Sequence, residues 1–95
     1  MSFILRYDER ADKDVMKLNQ HLALRVVKIL NKKLGEAPLQ YGHYLGGPLH
    51  PHQKLRIGDV RVVYRVDEAT QEVFILCIGK RKDDAVYKEA MKRIS

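Results

Sequence analysis

The stretch that most constrains the fold is QKLRIGDVRVVYRV, Gln53 to Val66. Two runs of β-favouring residues flank Gly58-Asp59, and a two-residue loop of that kind between such runs marks a tight β-hairpin. With the loop at those residues, Ile57 faces Val60, Arg56 faces Arg61, Leu55 faces Val62 and Lys54 faces Val63. Side chains alternate across a strand. Leu55, Ile57, Val60, Val62 and Tyr64 therefore share one face, and His52, Lys54, Arg56, Arg61, Val63 and Arg65 share the other. The first face reads as core and the second as a cationic plate. Like charges directly opposite on a sheet cost up to about 1 kcal/mol, so either carboxylates neutralise the plate or it awaits an anionic ligand.

The segments around the hairpin supply the rest of a small sheet and its helices. Phe3 to Tyr7 reads as a first strand. Asp8 caps a helix whose first turn carries Glu9 and Asp12, with Ala11, Val15 and Leu18 on one stripe. Asn19 and Gln20 break it, and a second helix runs from about His21 to Leu34 on Leu22, Val26, Ile29 and Leu30. Gly35 suits the left-handed position past that helix, and Pro38 blocks resumption. From Pro38 to His52 the pattern dissolves into a loop with a short extended piece at Tyr44-Leu45. After the hairpin come a turn at Asp67 to Gln71 and a strand from Glu72 to Gly79. A final helix spans about Asp83 to Ile94, capped by Asp83 or Asp84, with Ala90, Met91 and Ile94 on its apolar stripe. The order β-α-α-β-β-β-α predicts an α+β fold, a small, mostly antiparallel sheet packed with two N-terminal helices and a C-terminal helix. Ninety-five residues, 1–95, suit a single domain.

A net charge of +6 favours a polyanionic partner. No apolar run approaches the roughly 20 residues of a membrane helix, and no signal peptide is evident, so the expected location is cytoplasmic. The single cysteine, Cys77, lies inside the apolar run Val73 to Ile78 and reads as a buried small hydrophobe.

Chemistry concentrates in a few places. Gly79-Lys80-Arg81-Lys82 leaves the last strand, where its cations can swing beside Lys54, Arg56, Arg61 and Arg65; alone the cluster is a solubilising turn, but a patch drawn from three segments resembles a phosphate site. Tyr87, one turn past the cap, is either core packing or an aromatic for a base. His52 enters the plate as a candidate acid or base. His50 and His52 lack neighbouring cysteines or carboxylates, so no metal is expected. P-loop, GxSxG, HExxH and CxxC spacings are absent, which removes most hydrolase and nucleotide-binding readings. RNA cleavage remains open, because the 2′-hydroxyl is RNA's own nucleophile. The protein then needs positioning, charge stabilisation by guanidiniums and a base, and a lysine among other cations has its pKa lowered towards that task.

KLRIGDVRVVYRVD followed by IGKRKDDAVYKEAMKRI resembles the RelE family of toxin ribonucleases within the RelE/ParE superfamily, and FILRYDERADKDVMKL resembles its first strand and helix. The resemblance implies a metal-independent, cofactor-free mRNA endonuclease that works in the ribosomal A site, leaves a 2′,3′-cyclic phosphate and is silenced by a cognate antitoxin. Operator DNA would be met only through the antitoxin complex. By motif, Lys54 resembles the general base, Arg61 the phosphate-stabilising arginine, Arg81 the group serving the leaving 5′-oxygen and Tyr87 the residue orienting the nucleotide. Arg56, Arg65, Lys80 and Lys82 fall to RNA or ribosome contact. His52 stands where the family often has a second lysine and is expected to share proton transfer. The alternatives are a noncatalytic, gyrase-targeting toxin of the ParE branch, or a decayed toxin that only binds its antitoxin.

Overall fold

In the computed structural model, which describes residues 2–82 and 84–94, the chain is a five-stranded sheet with helices on both faces. The elements run β1 (Ile4–Tyr7), α1 (Glu9–Lys17), α2 (Gln20–Glu36), α3 (Pro38–Tyr41), β2 (His43–Tyr44), a 3₁₀ turn (Gly47–Leu49), β3 (Gln53–Ile57), β4 (Val60–Asp67), β5 (Glu72–Lys80) and α4 (Ala85–Arg93). Strand order is β1-β5-β4-β3-β2, with β1 parallel to β5 and the other pairs antiparallel. The hairpin has the expected register, from Ile57 opposite Val60 to Lys54 opposite Val63. Gly58 takes φ 60° while Asp59 does not turn positive, as a type II′ loop requires of its first central residue.

One face of the sheet carries the larger core. Ala11, Val26, Leu30 and Leu34 from α1 and α2 pack on Leu55, Val62, Tyr64, Val73, Ile75 and their neighbours. The other face is not the bare plate that alternation suggests. A second cluster of Leu49, Val63, Cys77, Val86 and Ala90 forms where α4 lies across its middle. A bulge supports this cluster: Val63 pairs with Cys77 but Tyr64 pairs with Ile75, leaving Leu76 as the extra residue on β5. Leu76 and Cys77 consequently both pack against the cluster under α4.

Helix ends follow local chemistry, with two corrections to the sequence reading. The Asp8 carboxylate accepts from the Arg10 N–H at 2.8 Å, and Asn19 accepts from the Leu22 N–H at 2.9 Å. Gly35 does not adopt a left-handed conformation; α2 continues through it to Glu36. The break comes instead at Ala37 (φ −146°, ψ 65°), because the residue before Pro38 is pushed out of the helical region. Residues 38–52 are also more ordered than a loop, holding α3, β2 and the 3₁₀ turn. Their anchor is buried Tyr64, whose hydroxyl lies 2.9 Å from the Pro38 carbonyl oxygen and 2.8 Å from Gln53 Oε1. At the start of α4, Asp84 is left-handed (φ 57°) and its side chain makes no capping bond, while Asp83 lies outside the described residues. Among the described residues, no helix is long and apolar enough to cross a membrane.

Candidate active site

The hairpin tip, the end of β5 and the start of α4 meet in a cleft of about 220 Å³ lined by Lys54, Arg56, Arg61, Arg81, Asp84, Val86 and Tyr87. Each segment delivers its groups for a local reason. Alternation on β3 and β4 turns Lys54, Arg56 and Arg61 towards α4. The Arg81 N–H donates to the Asp59 carbonyl at 2.6 Å, tying the strand exit to the hairpin loop and holding Arg81 beside Arg61. Gly79, opposite Arg61 in the ladder, lets α4 come close: a Cβ there would sit 3.4 Å from Val86.

Arg61 is the most enclosed of these cations, 6% exposed. Its Nη1 donates to the Gly58 carbonyl at 2.8 Å and the Val60 carbonyl at 3.2 Å. Backbone dipoles of the hairpin loop, not a carboxylate, therefore offset its repulsion from exposed Arg56. Two carbonyls on one nitrogen also hold the guanidinium in a single orientation. Across the cleft, Lys54 Nζ lies 6.0 Å from the centroid of the Tyr87 ring, a cation–π separation. Among the described residues, Lys54, Arg56, Arg61 and Arg81 take part in no ion pair. Such an array is suited to an oxyanion that carries more than one charge.

The remaining sequence candidates lie elsewhere. His52 and Arg65 are on the plate's face but beyond α4, lining a larger concavity with Phe74 and Ile94. His52 Nδ1 is 3.0 Å from the Leu49 carbonyl oxygen, and burial pushes the imidazole pKa below its usual value. The structure thus places His52 apart from Lys54's cleft, since the two residues line different concavities. Lys80 emerges on the opposite face beside Asp14 and Lys17, as strand alternation one residue before Arg81 demands. Lys82 is exposed in the link to α4.

Sequence reasoning missed two contributors. Asp84 brings the one carboxylate that lines the cleft among the described residues. Asp14 holds α4, and with it Tyr87, in place: its carboxylate accepts from the Ile78 N–H at 3.0 Å and from Arg93 Nη1 and Nη2 at 2.6 and 3.0 Å. Its signal was present, since Ala11, Asp14 and Leu18 share the spacing of one helical stripe. Among the described residues, no three histidine, cysteine, aspartate or glutamate side chains cluster as metal ligands.

The family described as "ParE toxin of type II toxin-antitoxin system, parDE" matches residues 5–85. The mRNA interferase toxin RelE of Escherichia coli (strain K12) is 35% identical over 94 residues, 99% of each chain. The toxin-antitoxin complex RelBE2 from Mycobacterium tuberculosis contains a chain that superimposes with a TM-score of 0.82 at 29% identity, over 87% of this chain and 95% of that one. A mutant of the Escherichia coli toxin RelE in the free state gives 0.80 at 32% identity, over 100% of both chains. On the shared fold, the end-to-end identity and the family match, this chain belongs to the RelE family of the RelE/ParE superfamily of type II toxins.

Proposed function

We propose that the protein is the toxin of a type II toxin–antitoxin pair and acts as a ribosome-dependent messenger RNA endonuclease in the cytoplasm. The observation that carries the reading is the cleft, where four cations without ion pairs among the described residues and one aromatic ring converge from three chain segments. Lys54, as the free amine, takes the proton of the 2′-hydroxyl. The 2′-oxygen attacks the adjacent phosphorus, and the bond to the 5′-oxygen breaks, leaving a 2′,3′-cyclic phosphate and, once the leaving oxygen is protonated, a 5′-hydroxyl. Arg61 holds the phosphoryl oxygens as negative charge accumulates, Arg81 serves the departing 5′-oxygen, and Tyr87 stacks on or orients the nucleotide. Arg56 contacts the strand within the cleft, and Arg65, Lys80 and Lys82 contact RNA or ribosome outside it.

This reading takes the reaction to be metal-independent, since the donor set is cationic and would repel a divalent ion. An acidic, partly disordered antitoxin that covers this positive face would silence the toxin. The full-length identity to an mRNA interferase favours the nuclease over a gyrase inhibitor of the ParE branch. Induced expression should stop protein synthesis before DNA replication, with cuts mapping within translated messages. Arg61→Ala and Arg81→Ala should each lower the single-turnover cleavage rate by roughly 10²-fold or more. Folded wild-type protein that leaves messages intact on programmed ribosomes would overturn the reading.

A further inference from the structure

The face that carries the cleft holds a second concave surface, at the other end of α4. Its volume is about 500 Å³, and Arg6, His52, Arg65, Phe74, Leu76 and Ile94 contribute to its walls. The sheet register sets Arg6 opposite Phe74 and Phe74 opposite Arg65, so an aromatic ring stands between two guanidiniums in one row across three strands. Arg6 is paired with Glu72. Arg65 has no ion pair among the described residues; its guanidinium carbon lies 4.7 Å from the Phe74 ring centroid. Leu76 and Ile94, the latter 38% exposed, add apolar surface beside the stack.

We propose that this surface is a second nucleotide subsite for single-stranded RNA, in which Arg65, braced on Phe74, offers its plane to a base and its edge to a phosphate. The inference rests on the reading of the protein as an RNA-cleaving toxin, which brings a strand to this face. Two observations favour RNA over an acidic peptide. The Arg65 guanidinium carbon lies over the Phe74 ring at 4.7 Å from its centroid, and a guanidinium so placed beside an aromatic ring can stack any base. The surface also lies near the cleft along the chain: Lys54 lines the cleft and His52, two residues earlier, lines this surface, a separation of about 6.6 Å along extended chain. A strand held by Lys54 and Arg61 therefore has the next cationic, aromatic station within reach of its neighbouring nucleotides.

The test is fluorescence anisotropy with a short labelled single-stranded RNA on the full chain carrying Arg81→Ala to suppress cleavage. Adding Arg65→Gln or Phe74→Leu should weaken binding about tenfold, the loss of one stacked base. Arg65→Lys, which keeps the charge and loses the plane, should recover affinity at low salt and not at high salt. Thermal melts check folding; should Phe74→Leu not fold, the half-buried Arg65 variants carry the test alone. RNA affinity that stays within twofold of the parent in Arg65→Gln overturns the subsite. So does a loss of affinity for a polyglutamate peptide without a loss for RNA, which would make the surface a protein-docking site. Binding is read apart from cleavage, so the two readings fail separately. A chain that leaves translated messages intact yet loses RNA affinity on Arg65→Gln keeps the subsite and discards the nuclease; one that cuts messages while its RNA affinity ignores Arg65 does the reverse.

Discussion

Replacing Asp14 by alanine tests how Tyr87 is kept over the cleft. The carboxylate joins three elements, taking the Ile78 N–H of β5 and both Nη groups of Arg93 at the end of α4. The pair is enclosed, with side chains 7% exposed for Arg93 and 9% for Asp14. Removing one partner of a buried pair costs about 3–5 kcal/mol, since it strands a charge and here also the Ile78 N–H. Arg93 retains the Leu76 carbonyl and Glu89 Oε2, each at 3.0 Å, which places the loss towards the lower figure, about 3 kcal/mol. That is a large part of the roughly 5–15 kcal/mol by which such chains are stable. Urea unfolding followed by circular dichroism gives the global loss, and amide exchange along α4 shows whether it opens first. The double variant Asp14→Leu with Arg93→Met removes both charges and should regain most of the stability. A cost below about 1 kcal/mol, the range of exposed ion pairs, would refute the argument and show that α4 is held by Val86 and Ala90 alone.

Three other outcomes follow from the same geometry. Gly42→Ala keeps an allowed backbone (φ −94°, ψ 173°) but places a Cβ 1.8 Å from the Tyr64 hydroxyl, so it should cost about 3 kcal/mol or more by displacing that buried group, measured by urea unfolding; a neutral result would mean residues 38–52 are not anchored by Tyr64. Burial pushes the Cys77 thiol up to about 12, from an ordinary value of 9.0. A folded pKa above the unfolded one stabilises fully below about pH 9 and loses that contribution as pH rises towards 12. Alkaline unfolding monitored by circular dichroism should accordingly shift to higher pH in Cys77→Ala relative to its own neutral stability, and the native thiol should resist alkylation until the chain opens. Asp84→Asn removes the carboxylate lining the cleft while asparagine tolerates the left-handed backbone, so binding of single-stranded RNA at low salt should strengthen roughly two- to fivefold; weaker binding would show that Asp84 holds a contact the strand needs.

What the sequence determined by itself was everything governed by near neighbours along the chain. Gly58-Asp59 set the hairpin register because a two-residue loop admits one pairing, and period-two alternation then assigned Leu55, Val62 and Tyr64 to the core and Lys54, Arg56 and Arg61 to the opposite face. The same alternation separates Lys80 from Arg81, a distinction a cluster of basic letters conceals. Only the tertiary structure decided which members of the cationic face work together. The bulge at Leu76 and the burial of Val63 beneath α4 divide that face, leaving Arg61, Arg81 and Tyr87 on one side and His52 and Arg65 on the other. It also decided what balances Arg56 against Arg61, the backbone carbonyls of Gly58 in the hairpin loop and Val60 at the start of β4, and what fixes Tyr87, a buried pair between residues 14 and 93. Those partners lie across the sheet or in the backbone itself, where no local pattern of side chains reports them.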